Sequence, residues 1–220
     1  MKKILFLLLV VSSFYASASA QTIPPFWSDI VAFKKEDAAK APPAAPILFV
    51  GSSSFTRWTD IQQAFPGYPI LNRGFGGSSL PDVIRYFYDI ILPYRPKQVI
   101  VYCGENDLAS SESVTAEEVV LRFKTLYGMI RQNLPGTEVA FVSIKASPSR
   151  PQIATRLAEV NRQLKKFLKK EKRADFIDVN TPMLDAEGKM REDLYVSDRL
   201  HLKPEGYAIW QRNIQPYLLK

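Results

Sequence analysis

Five short apolar runs, each closed by a turn and followed by a stretch with helical spacing, constrain this chain more than any other feature. They read "ILFV" over 47–50, "YPILN" over 68–72, "KQVIVYC" over 97–103, "TEVAFVSI" over 137–144 and "ADFIDV" over 174–179. Each is too short for a buried helix, and none alternates polar with apolar along its length. Such runs are strands buried on both faces. Between and after them, helical patterns cover 55–65, 80–92, 115–134, 154–170 and about 204–218. Thr115 is placed to cap the third of these, with Glu118 as its capping-box partner.

Strands and helices in strict alternation build a parallel sheet with helices on both sides. The expected fold class is therefore α/β, a three-layer α/β/α, flavodoxin-like domain with a five-stranded parallel sheet. At 220 residues the chain suits one such domain, here 47–220. Residues 21–46 form a lead-in, with Phe26, Ile30 and Phe33 at helical spacing before "APPAAP" breaks the chain. Right-handed crossovers bring the C-terminal end of every strand to one edge of the sheet, where ligands bind.

The first twenty residues follow another rule. Lys2 and Lys3 precede an unbroken apolar run from Ile4 to Val11, and Ala18-Ser19-Ala20 is a small-residue cleavage site. This is the layout of a secretory signal peptide, so residues 1–20 are expected to direct export to the periplasm or outside the cell. The apolar run is far shorter than the roughly 20 residues that span a bilayer, so no stable membrane insertion is expected after processing. Removing the two lysines lowers the formal net charge from +7 to +5. Much of the excess lies in "RQLKKFLKKEKR", Arg162 to Arg173, whose lysines read as the solvated face of an amphipathic helix. No nucleic-acid motif accompanies it, and no nucleic-acid partner is expected. Cys103 is the only cysteine and ends a strand, where it reads as a small core residue. One cysteine and one histidine supply no multidentate metal set, and no metal or cofactor is expected.

The chemistry-bearing residues fall after the strands. Gly51 opens a run of three serines, 52–54. "NRGFGGSS" follows the second strand and "GEND" the third. The last loop carries Asp198 and, three residues on, His201, the only histidine. A serine hydroxyl attacks a carbonyl only when a base takes its proton, and a carboxylate beside that base fixes its tautomer. Bare glycine N–H groups and an asparagine amide suit a developing oxyanion. The glycine run is not GxGxxG, so a dinucleotide site is not indicated. No G-x-S-x-G elbow appears, which sets the chain apart from the α/β-hydrolases.

Over residues 47–218 these blocks resemble the SGNH hydrolases, the GDSL-type esterase and lipase superfamily, whose four blocks are led by Ser, Gly, Asn and His. "FVGSSS" is similar to the first block, "NRGFGGSS" to the second, "GEND" to GxND and "DRLH" to D-x-x-H. The resemblance implies a triad of Ser53, Asp198 and His201. It implies an oxyanion hole from the N–H groups of Ser53 and Gly77 and the side chain of Asn106. One departure stands: the first block usually reads G-D-S, and Ser52 replaces the aspartate, which leaves Ser52 and Ser54 as alternative nucleophiles.

The implied activity is hydrolysis of carboxylic esters through an acyl-enzyme, on a small-molecule or polysaccharide ester. No long apolar lid segment interrupts the blocks, which favours short acyl groups such as acetyl on carbohydrate. A lysophospholipase or thioesterase-like acylhydrolase, a sugar O-acyltransferase and a non-catalytic flavodoxin-like binding module are the alternatives. Trp58, Tyr102 and the run Tyr86, Phe87 and Tyr88 are candidates to pack on a sugar ring, with core packing as their ordinary role. Lys145, Ser147 and Arg150, after the fourth strand, are expected at the pocket edge.

Overall fold

The computed structural model describes residues 23–220; the signal-peptide reading of residues 1–20 lies outside them. The elements run α1 (Trp27–Ala39), β1 (Ile47–Gly51), α2 (Ser53–Thr56), α3 (Ile61–Ala64), β2 (Ile70–Gly74), α4 (Leu80–Arg85) and α5 (Phe87–Ile90). They continue with β3 (Gln98–Tyr102), α6 (Glu105–Ser110), α7 (Ala116–Asn133), β4 (Glu138–Val142), α8 (Ala154–Leu168), β5 (Ala174–Ile177) and α9 (Pro204–Ile214). The five strands form one sheet in the order β2-β1-β3-β4-β5, and every pairing is parallel. The order reverses between β1 and β3, so the crevice for a ligand opens above those two strands.

The unbroken apolar strands are explained by what covers them. Leu48, Val50, Val99 and Val101 face one core, with helices α4, α5, α7 and α8. Their neighbours Ile47, Phe49, Ile100 and Tyr102 face the other, with α2, α3 and α9. Alternate side chains of one strand thus enter different cores, and neither face of the strand is left to be polar.

Four local expectations change. The helix expected over 55–65 is two short helices parted at Arg57–Asp60. Thr56, Trp58, Thr59 and Asp60 are weak helix formers, and Trp58 turns into the core. The helix over 80–92 breaks at Tyr86, whose hydroxyl donates to Pro25 O. "GEND", placed in the loop after the third strand, instead opens α6, a helix too short and polar to carry a periodic signal. Thr115 caps α7 by accepting from Glu118 N, but the Glu118 carboxylate pairs with Arg122, so only half of the capping box forms.

The described part of the lead-in packs onto the sheet domain. Ile30 is buried, and Phe26 and Phe33 pack against the same core as α4 and α5. The Arg73 side chain, at the end of β2, is 5% exposed and pairs with Glu36 and Asp37 of α1. A buried guanidinium without those carboxylates is strongly unfavourable, so α1 docks where Arg73 is.

Candidate active site

The site is built at the C-terminal ends of β1, β2 and β3. Gly51 ends β1 at φ 134°, and a Cβ there would lie 1.9 Å from Tyr102 O. Only glycine lets β1 turn so close to β3. Ser52 N then donates to Tyr102 O at 3.0 Å, and Ser53 begins α2. Asn72 of β2 clamps this turn from the side: its Nδ2 donates to Phe55 O at 2.7 Å and its Oδ1 accepts from Gly74 N at 2.9 Å.

The three serines have different fates. Ser52 and Ser54 are buried, and Ser53 is half-buried. Ser53 Oγ lies 3.0 Å from His201 Nε2. Ser52 Oγ accepts from Asn106 Nδ2 at 2.8 Å, and Ser54 O accepts from the Tyr207 hydroxyl at 2.9 Å. Only Ser53, of the three candidates, reaches the histidine. The Tyr207 contact also joins α9 to α2, coupling the element after His201 to the one that carries Ser53.

His201 sits in a tight loop closed by the antiparallel bridge Tyr195–Leu202 and by Val196 N donating to His201 O at 2.9 Å. Asp198 Oδ2 lies 2.6 Å from His201 Nδ1, while its Oδ1 accepts from the backbone N–H groups of Leu200 and His201, both at 2.9 Å. Burial alone pushes the Asp198 carboxyl up, but the hydrogen bonds from the His201 ring and those two N–H groups outweigh it. The carboxyl is held well below the ordinary range and stays ionised. An ionised acceptor at Nδ1 keeps the proton there, so Nε2 faces Ser53 as an acceptor.

The glycine loop is fixed beside Ser53. Phe75 N and Ser78 Oγ both donate to Gly51 O, at 2.9 and 3.1 Å. Leu80 N donates to Asp107 Oδ2 at 3.0 Å, and Ser79 forms a capping box with Asp82. Gly77 has φ 84°, and a Cβ built on Gly76 would be 3.9 Å from Ser53 Cβ. Among the described residues, the N–H groups of Ser53 and Gly77 have no acceptor. Asn106, in the first turn of α6, turns Nδ2 toward Ser52 Oγ and Ser78 O. The aspartate of "GEND" has a separate task. Asp107 is fully buried, takes Arg122 at 2.8 Å, and pins α4 through Leu80 N, so it holds the glycine loop rather than substrate.

Lys145 and Ser147 do not edge the pocket. Both are buried under α6, where Glu105 Oε2 accepts from Lys145 Nζ at 3.0 Å and Glu105 Oε1 from Ser147 Oγ at 2.7 Å. Arg150 stays partly exposed and donates to Asn106 Oδ1 at 3.0 Å. Of the aromatic candidates, Trp58, Tyr86, Phe87 and Tyr102 are core, and Tyr88 is exposed. Sequence reasoning missed Tyr207, whose position at i+6 from His201 carried no motif. It also missed Asn72 as the clamp of the serine turn.

A sequence model of the GDSL-like Lipase/Acylhydrolase family matches residues 43–209. The fold is similar to a Bacteroides fragilis protein provisionally described as an acylhydrolase, at TM-score 0.74 and 18% identity, over 87% of this chain and 96% of that one. A GDSL-like lipase from Bacteroides thetaiotaomicron superposes at TM-score 0.73 and 20% identity, over 86% and 96%. A catalytic mutant of an acetylxylan esterase from Geobacillus stearothermophilus does so at 0.63 and 14%, over 80% and 95%. None of the curated proteins matches the chain in sequence. With three quarters of its length matched by one family and the fold to go with it, the chain belongs to the GDSL-like lipase and acylhydrolase family and is a carboxylic ester hydrolase.

Proposed function

We propose that the chain is an exported serine esterase that removes short acyl groups, acetyl foremost, from carbohydrate through an acyl-enzyme. The observation that carries the reading is the line from Ser53 Oγ to His201 Nε2 at 3.0 Å and from Nδ1 to Asp198 at 2.6 Å. His201 takes the Ser53 proton as Oγ bonds to the ester carbonyl carbon. The carbonyl oxygen becomes an oxyanion held by the N–H groups of Ser53 and Gly77 and the amide of Asn106. His201 passes the proton to the leaving alcohol as the C–O bond breaks. Water, deprotonated by the same nitrogen, then releases the acid and restores Ser53.

The sugar side rests on a surface between α3 and α9 that borders the site at Leu202. A cavity of about 630 Å³ is lined by Arg57, Trp58, Asp60, Gln63, Tyr207 and Gln211, among others, and reaches Leu202, next to His201. Tyr207 stacks on Trp58 with centroids 5.0 Å apart, and polar side chains surround the pair. The half-buried Tyr207 ring, backed by the buried Trp58 and set among amide and charged groups, suits a saccharide better than an acyl chain. The acetylxylan esterase of similar fold agrees with that choice.

Two measurements test the reading. Rates on p-nitrophenyl esters from acetate to decanoate are expected to fall with chain length, and acetylated xylooligosaccharides to release acetate. A rate that instead rises with chain length, with turnover of lysophosphatidylcholine, would sink the short-acyl proposal. For export, protein recovered outside the cytoplasm is expected to begin at Gln21; an N-terminus still carrying Lys2 and Lys3 there would contradict it.

A further inference from the structure

Beneath Asn106 lies a cluster that the reaction as written does not use. Glu105, the residue before Asn106, is buried and ionised: burial raises its carboxyl, but Lys145, Ser147 and Arg150 together bring it below the ordinary value. Tyr102 donates a further hydrogen bond to Glu105 Oε2 at 3.0 Å. Lys145 and Ser147 are held by a loop whose backbone is tied down by side chains. Ile144 N donates to Asn161 Oδ1 at 2.8 Å, and Ala146 N to Asn180 Oδ1 at 2.7 Å. That loop continues to Arg150, whose guanidinium stands 3.5 Å from Glu105 Oε1 and closer, 3.0 Å, to Asn106 Oδ1. Ser149 N, beside it, donates to Arg199 O of the histidine loop at 3.1 Å.

We propose that Arg150, braced by the Glu105–Lys145–Ser147 cluster, is a positioning residue that orients the Asn106 amide toward the oxyanion. The inference rests on the assignment of Asn106 as an oxyanion donor. A carboxamide is nearly symmetric in shape, so packing alone does not decide which end faces Ser53. Arg150 carries donors only and is always charged, so it donates to one end of the amide, Oδ1, and repels the other. The other end, Nδ2, then faces Ser78 O at 3.0 Å and Ser52 Oγ at 2.8 Å. A flipped amide sets Oδ1 against the Ser78 carbonyl and Nδ2 against the guanidinium, two repulsive contacts. The hydrogen that reaches Ser52 Oγ is the one on the side of the serine turn, and an oxyanion formed at Ser53 draws on it. The guanidinium also polarises the amide from behind, and chained hydrogen bonds of this kind strengthen one another. Ser52 puts a neutral acceptor at that hydrogen, so the amide is not tied to a carboxylate.

The test is a double-mutant cycle on kcat for p-nitrophenyl acetate with Arg150→Met and Asn106→Ala, with thermal melts to confirm folding. Asn106→Ala is expected to lower kcat on the order of 10²-fold or more. Arg150→Met is expected to lower kcat on the order of 10-fold, with KM unchanged, and to add nothing in the Asn106→Ala background. Arg150→Ala is expected to regain part of its kcat with millimolar ethylguanidinium, and Asn106→Ala is not. Full additivity of the two substitutions, or a raised KM at unchanged kcat, overturns the positioning role while leaving the oxyanion assignment standing. An Asn106→Ala enzyme with unaltered kcat overturns both. Arg150→Lys separates charge from shape. Near-complete activity in it shows that a point charge behind Oδ1 is enough, whereas activity as low as in Arg150→Met shows that the planar fork is required, and either result keeps Arg150 acting on Asn106.

Discussion

Ser53→Ala and His201→Ala each lower kcat on p-nitrophenyl acetate by on the order of 10⁵-fold, with KM and the thermal midpoint little changed. Ser53 Oγ is the only serine oxygen of the 52–54 turn within reach of His201 Nε2, so no neighbour substitutes for it. Removing either partner abolishes the same step, because the proton leaves Oγ as the acyl bond forms. The double substitution is therefore expected to be no worse than either single one. Covalent labelling by an organophosphonate gives a second readout: the label attaches to Ser53 and is absent from Ser53→Ala. Activity within tenfold of the unsubstituted enzyme in Ser53→Ala would exclude Ser53 as the nucleophile.

Asp198→Asn is expected to cost about 10⁴-fold in kcat, with the loop around it intact. The reason is specific to the two oxygens. Oδ1 accepts from the N–H groups of Leu200 and His201, and an asparagine keeps those bonds by placing its carbonyl oxygen there. Its NH₂ group must then face His201 Nδ1, where it donates. The imidazole answers with the other tautomer, and Nε2 carries a proton where it has to accept one. Asp198→Ala loses the loop bonds as well, so its melting midpoint should drop further than that of Asp198→Asn. The Asp198 carboxyl lies below the ordinary value of about 3.9, so its contribution to stability is complete above that pH. The contribution is lost only as the pH falls through the lower folded value. Asp198 is thus expected to stay ionised through mild acidification and to add no ionisation of its own to the acid limb of log kcat/KM. A slope of two in the acid limb of log kcat/KM would contradict this.

Much of the fold was legible because the relevant signals are local. Ile47–Val50, Val99–Tyr102 and Val139–Val142 are apolar at every position, which only strands covered on both faces require. The turn glycines and the Asp198–His201 spacing are local too, and the strand ends draw them to one edge. What escaped is non-local or compensated. Lys145 read as a pocket-edge residue because nothing near it in sequence announces Glu105, forty positions earlier, as its buried partner. Arg73 and α1 find each other across a similar gap. The polar string Glu105–Asn106–Asp107 has no apolar period at all, since this helix turn is held by ion pairs and hydrogen bonds in place of a hydrophobic stripe. The break at Tyr86 depends on a hydrogen bond to Pro25, which no reading of residues 80–92 alone contains.

The two ends of the described chain lie in very different places, and this bears on how the enzyme can be attached to anything. Phe26 is so near the glycine loop that a Cβ on Gly77 would touch its ring at 3.7 Å. The other end is held at the opposite edge of the sheet. Gln98, the first residue of β3, donates to Tyr217 O at 2.7 Å and accepts from Leu219 N at 3.0 Å. A surface, bead or fused domain joined close before Phe26 therefore crowds the glycine loop beside Ser53. The same attachment made after Lys220 leaves that loop open to solution. For an esterase acting on insoluble or branched material, the end chosen for the tether decides which substrates arrive.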